Sequence, residues 1–114
     1  MIIFRILLVA ILMSVSAYTV VVIGDHGLGL FAVFFSDIMA MAWPGQFNVD
    51  FMSMLALSGL WLAWRHHFSA VGVVVGILGF FGGAPFLCVY LLLASFNAKG
   101  DMHEILLGKM RASH

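Results

Sequence analysis

The chain has 114 residues, 64% of them hydrophobic and 9% charged, against about 25% charged in an ordinary soluble domain. Five basic and five acidic residues cancel to a formal charge of zero, which leaves no electrostatic case for a nucleic-acid partner. The length allows one small domain over residues 1 to 114, and the single cysteine, Cys88, excludes an internal disulfide.

Residues 6 to 23 carry no charge and are long enough to span a membrane. Arg5, the apolar stretch and Val15-Ser16-Ala17 resemble a signal peptide with a small-residue cleavage site. The apolar stretch runs on through Ile23, as in an uncleaved anchor, so cleavage is not expected. Ser14, Ser16 and Thr19 are tolerable in lipid because a hydroxyl can bond the carbonyl one turn back. Ala10, Ser14 and Ala17 share one face, where a second helix could approach closely. Gly24-Asp25-His26-Gly27 breaks the run and marks a turn.

Residues 28 to 43 are apolar but short, and they carry Asp37. An aspartate at the hydrocarbon centre costs about 2.5 to 3.5 kcal/mol on insertion scales. Trp43-Pro44-Gly45 closes the segment. The expectation is a short interfacial helix with Ser36 and Asp37 facing water; the alternative is a fourth crossing.

Residues 47 to 64 form the next span. Asn48 is expected to cap its start, with Asp50 in the first turn, where a negative charge suits the helix dipole. Ala56, Gly59 and Ala63 make a small-residue face. Trp61 and Trp64 followed by Arg65 have the pattern of a membrane exit.

Residues 68 to 96 contain no charged side chain, and about 20 apolar residues suffice to cross a core about 30 Å thick. Gly72, Gly76, Gly79 and Gly83 fall on one stripe, and Pro85 is expected to kink the helix. Cys88 reads as a small packed hydrophobe. Residues 101 to 110 read as a short amphipathic helix. The fold expected is an all-α integral membrane protein with three transmembrane helices and one interfacial helix, or four transmembrane helices in the alternative.

Charge does not fix the orientation. Three crossings put Arg5 and Arg65 on one side but strand Lys99, Lys109 and Arg111 on the other. Four crossings gather those three with Arg5 and leave Arg65 alone. Basic residues prefer the cytoplasmic side, so their count favours four crossings, whereas the length of residues 28 to 43 and Asp37 favour three.

Gly27-Leu28-Gly29-Leu30, Phe34-Phe35, a proline, Phe47-Asn48-Val49-Asp50-Phe51, Trp61, Trp64, Arg65, and Pro85-Phe86-Leu87 with Tyr90 occur in an order that resembles a family of small bacterial and chloroplast-type membrane proteins of unknown function. The likeness covers roughly residues 27 to 92. It implies three crossings with an interfacial segment between the first two, and no activity, cofactor or catalytic residue. The chain departs from that pattern in the histidines after Arg65 and in the extra glycines before Pro85.

The candidate functional residues each have a plainer reading. Gly72, Gly76, Gly79 and Gly83, with Ala56, Gly59 and Ala63, point to close helix packing, within the chain or between subunits. Asp37 and Asp50 are candidates for a proton or ion site, since an ionisable group in a membrane segment is costly unless it has a use; the plainer reading is a wet interface. His26, His66 and His67 are candidates for haem or metal, but adjacent histidines on a helix point about 100° apart, and no CxxCH or HExxH is present. Solvated loop histidines are the plainer reading. Ser53 and Ser58 lie in no GxSxG setting. No enzyme and no cofactor is expected. The leading expectation is a structural or accessory subunit in a bacterial inner (plasma) membrane, with lipid and either a homo-oligomer or a membrane complex as partners. An oligomeric proton or solute transporter, and a haem- or quinone-binding electron-transfer subunit, are the alternatives.

Overall fold

The computed structural model describes residues 1 to 112. Among these the chain is helical throughout, without a strand. The elements are α1 (Ile2–His26), α2 (Leu30–Met39), α3 (Trp43–Arg65), α4 (Ala70–Asn97), α5 (Met102–Leu107) and α6 (Lys109–Ala112). Three of them, α1, α3 and α4, are long and apolar enough to cross a membrane when α4 is taken end to end as one element. The ten residues of α2 extend only about 15 Å, half of a hydrocarbon core about 30 Å thick. The four-crossing alternative built on residues 28 to 43 therefore lacks the length it needs.

Gly24, Asp25 and His26 complete the last turn of α1 rather than breaking it. The turn comes at Gly27, whose φ of 77° is a left-handed value that glycine adopts freely. Trp43-Pro44-Gly45 opens α3 instead of closing the segment before it. Pro44 lies in the first turn, where its missing N–H costs nothing. Two expectations are corrected by this earlier start. Asn48 does not cap α3; its side-chain amide donates to the Phe34 carbonyl at 3.1 Å and ties α2 to α3. Asp50 lies beyond the first turn, which holds no acid.

The largest departure from the sequence reading is in α4. Ser69 caps its start, accepting the Gly72 N–H at 3.1 Å. The helix is then interrupted at Gly83, with φ 63° and ψ −150°, a region essentially reserved for glycine. A straight α4 would carry Tyr90 about 30 Å beyond Ala70. Instead the Tyr90 hydroxyl lies 2.8 Å from Arg65 and 2.5 Å from His66, at the end of α3 where α4 begins. The chain thus folds back on itself: residues 70 to 82 descend along α3, and residues 84 to 97 return. Phe86 of the returning arm packs where a Gly79 side chain would project, 3.7 Å from that position. The bend belongs to Gly83 and not to Pro85, which fits the first turn of the returning arm.

Each arm has its own partner. Phe51 and Leu55 of α3 lie against Gly83 at the bend, and Gly59 meets Gly76 higher up. A Cβ on Gly76 would stand 2.7 Å from the Gly59 carbonyl oxygen, and one on Gly59 would stand 2.8 Å from that of Gly76. The returning arm packs on α1, where Arg5 reaches Ser95. On α1 the residues shielded from solvent are Phe4, Arg5, Leu8, Ile11, Leu12, Val15 and Ser16, spaced as one helical face. From Ala17 to Val33 every residue is exposed. Ala10, Ser14 and Ala17 point outward, so the neighbour within the chain lies on a different face from theirs.

The glycine seam makes opposite demands at different positions. Gly76→Ala should destabilise the protein by about 1 to 3 kcal/mol, because two backbones must separate. Gly24 has open space around the same atom, so Gly24→Ala should be neutral or stabilising by up to about 1 kcal/mol. Denaturation of the two variants in detergent, followed by circular dichroism, measures the contrast.

Candidate functional site

The polar side chains that make tertiary bonds gather mostly where α3 ends, and Arg65 is their centre. Its Nε donates to the Ile105 carbonyl at 2.7 Å and its Nη2 to that of Glu104 at 3.3 Å. The Trp61 indole N–H donates to the Leu106 carbonyl at 3.0 Å. These three acceptors are among the last four carbonyls of α5; that of Glu104 also accepts the Gly108 N–H at 2.8 Å. A helix of six residues is marginal alone; here α3 supplies its C-terminal cap. Asp101 caps the other end, accepting the His103 N–H at 3.1 Å. Ile105 is fully buried beneath the tail, packed with Ala94 and Ala98. Arg111 continues the clasp, stacking 4.0 Å from the Trp64 ring and donating to the Trp64 carbonyl.

The hydroxyl of Tyr90 joins this clasp to the folded-back arm. Arg65 can only donate, so Tyr90 accepts from its Nη1. The hydroxyl also pairs with His66 Nε2, which accepts the phenol proton when the imidazole is neutral with its proton on Nδ1. Burial holds the His66 pKa below its ordinary value of 6.5, with the charges of Arg65 and His67 acting in the same direction. The same end of the molecule holds a second anchor. Arg5 donates to the Ser95 hydroxyl at 3.0 Å and carbonyl at 3.1 Å, and lies 4.1 Å over the Phe96 ring. Ser95 is fully buried and donates in turn to the Leu92 carbonyl at 2.7 Å. Among the described residues no buried side-chain nitrogen or oxygen lacks a partner.

The residues singled out from the sequence are dispersed. Gly72, Gly76 and Gly79 of α4 are buried, as are Gly59 and Ala63 of α3. Ala56 is exposed at the margin of that seam. Gly83 is the bend itself. Asp37 is half-buried on α2, and its backbone carbonyl oxygen occupies the space where a Gly45 side chain would begin. Asp50 is exposed and lines an open groove of about 590 Å³ with Ile38, Met41, Ala42, Gly45, Gln46 and Val49. His26 is at the far end of α1 from Arg5, remote from His66, whose Nε2 is engaged by Tyr90. Among the described residues no three of His, Cys, Asp and Glu stand close enough to hold a metal. The Ser53 hydroxyl bonds the Val49 carbonyl at 2.9 Å, one turn back on its own helix.

Sequence reasoning overlooked the roles of Trp61, Tyr90, Ser95 and Arg111. A signal was present for two of them. An indole N–H and a phenol inside apolar helices each require a hydrogen-bond partner: the phenol oxygen suits a donor such as Arg65, and the indole N–H needs an acceptor. No family model, no curated protein and no solved structure matches the chain.

The clasp has a consequence for pH. Because the folded state holds the His66 pKa below the unfolded value, the unfolded chain takes up the proton first on acidification. Stability from this group is complete above the unfolded pKa and is lost as pH falls through the lowered one. The melting temperature of the protein in detergent should therefore drop between about pH 7.5 and about pH 5.5. His66→Gln, which still offers Tyr90 an acceptor, should reduce that drop.

Proposed function

We propose that the chain is a multi-pass integral membrane protein acting as a structural or accessory subunit of a larger membrane assembly. The observation that carries this reading is the unaccompanied stretch from Ala17 to Val33. Val20, Val21, Leu28, Leu30 and Phe31 are each more than 60% exposed, and among the described residues none from Ala17 to Val33 is shielded from solvent. A surface so apolar suits lipid or another protein and not water. α2, packed on α3 through Asn48 and too short to cross, takes the interfacial position in this reading. The location in this reading is a bacterial inner membrane.

The choice of subunit over catalyst or carrier rests on how the polar groups are employed. Those of Arg5, Trp61, Arg65, Tyr90 and Ser95 hold the chain's own ends together. A transporter ordinarily places polar residues at broken helices near the midplane. Here the break at Gly83 is flanked by Phe51 and Leu55, both apolar. The neutral His66 imidazole, bonded to Tyr90, leaves that nitrogen committed elsewhere and weakens the haem reading.

Two measurements test this proposal. Purification from native membranes under mild detergent should yield a stoichiometric protein partner or a defined homo-oligomer; a monomer with no partner would contradict it. In liposomes, Asp50→Asn should leave proton flux and assembly at wild-type levels. A flux abolished by that substitution, with assembly intact, would favour the transporter instead.

A further inference from the structure

The fold-back at Gly83 changes where the charges lie. The two arms of α4 begin and finish at the same end of the molecule. Arg5 is at that end through its bonds to Ser95. Arg65 is there through Tyr90 and α5, and Arg111 through Trp64. Lys99 follows directly on the returning arm, beside Gly100, whose side-chain position is 3.3 Å from Met1. Lys109 follows Gly108, which lies against Arg65. All five lysines and arginines of the sequence thus occupy one end, with Asp101 and Glu104 as the acids among them. Asp25 is at the far end of α1, Asp37 is on α2, and Asp50 is in α3 at the level of the bend. The remaining three acids therefore all lie away from the basic end.

This distribution resolves the conflict that both straight-helix topologies leave. Each arm of α4 is about 20 Å long, too short to traverse a core of about 30 Å. The arms are apolar, and their bend is held against the apolar side chains of Phe51 and Leu55. We propose that residues 70 to 97 form a re-entrant hairpin that dips into the membrane from the basic end and returns to it, so that this end seats on the anionic phospholipid headgroups of the cytoplasmic leaflet. The proposal rests on the membrane reading above and goes beyond it by fixing sidedness and naming the lipid chemistry. Headgroup phosphates offer the negative charge that a cluster of cations attracts. Lys99 and Lys109 are the exposed members and make the most direct contact. Met102, Leu106 and Met110 are exposed beside them, and they supply apolar side chains to the acyl boundary in the manner of an interfacial segment.

Cysteine accessibility separates this topology from a straight crossing. In a Cys88→Ala background, His67→Cys, His103→Cys and Asp25→Cys are each placed in the full chain. All three positions are exposed. An impermeant maleimide is applied to intact spheroplasts and to inverted vesicles. The expected result is that positions 67 and 103 label together from the cytoplasmic side, and position 25 from the other. Labelling of 67 and 103 from opposite sides overturns the hairpin. Labelling of both from the outer side overturns the assignment to the cytoplasmic leaflet. Failure of all three to fractionate with membranes would instead refute the membrane reading itself.

A second readout addresses the lipid. The wild-type protein should melt at a higher temperature in nanodiscs containing phosphatidylglycerol than in phosphatidylcholine alone. The Lys99→Gln, Lys109→Gln double variant should lose most of that difference. An equal melting temperature in the two lipids overturns headgroup docking, as does a difference that the double variant retains in full.

Discussion

The backbone of Gly83 governs the rest of the arrangement. Its φ and ψ lie where a side chain would collide with the neighbouring peptide, and the two helical arms run from it side by side to the same end of the molecule. Because the arms return, an apolar run that reads as one long rod becomes a wedge between α1 and α3. One arm seals against α3 through Gly59 and Gly76, where main chain meets main chain. The other seals against α1, along the stripe from Phe4 to Ser16. Dispersion contacts at that distance are the main attraction available to apolar helices in lipid, so the missing side chains at the seam are as structural as any hydrogen bond.

The polar end follows from the same bend. Tyr90 can meet Arg65 and His66 only because its arm has come back. Once there, it lets one guanidinium link three parts of the chain: the end of α3, the returning arm, and the carbonyls that finish α5. Arg65 is suited to this by its planar fork of donors, which a lysine could not reproduce. The tail is thereby fixed near the N-terminus, with Gly100 beside Met1. The clasp decides where the cationic side chains stand relative to the apolar arms.

Much of the helical content could be read from the sequence, and the path of the chain could not. Hydropathy reports that residues 68 to 96 avoid water, but it is indifferent to direction. Gly82-Gly83-Ala84-Pro85 is compatible with a kink or with a reversal, and only the contact between Tyr90 and Arg65 distinguishes them. Trp43-Pro44-Gly45 is ambiguous for a related reason. Proline interrupts a helix interior but favours a first turn, so the same tripeptide can close one segment or open the next. Gly59, Gly72, Gly76 and Gly79 recur at helical intervals and are buried, whereas Ala56 and Gly83 share that spacing and are not. The tail's anchoring bonds were not legible, since backbone carbonyls are acceptors everywhere and only the fold selects Glu104, Ile105 and Leu106.

The distance between the two ends of α4 tests the fold-back most directly. Spin labels at Ala70 and Phe96, both exposed, can be measured by double electron–electron resonance in the full chain reconstituted in lipid. Packed helices lie about 8 to 10 Å apart, so the hairpin predicts a single distribution centred below about 25 Å once the label arms are included. A distribution centred near about 40 Å, the length of an unbroken helix over the same residues, would contradict the account.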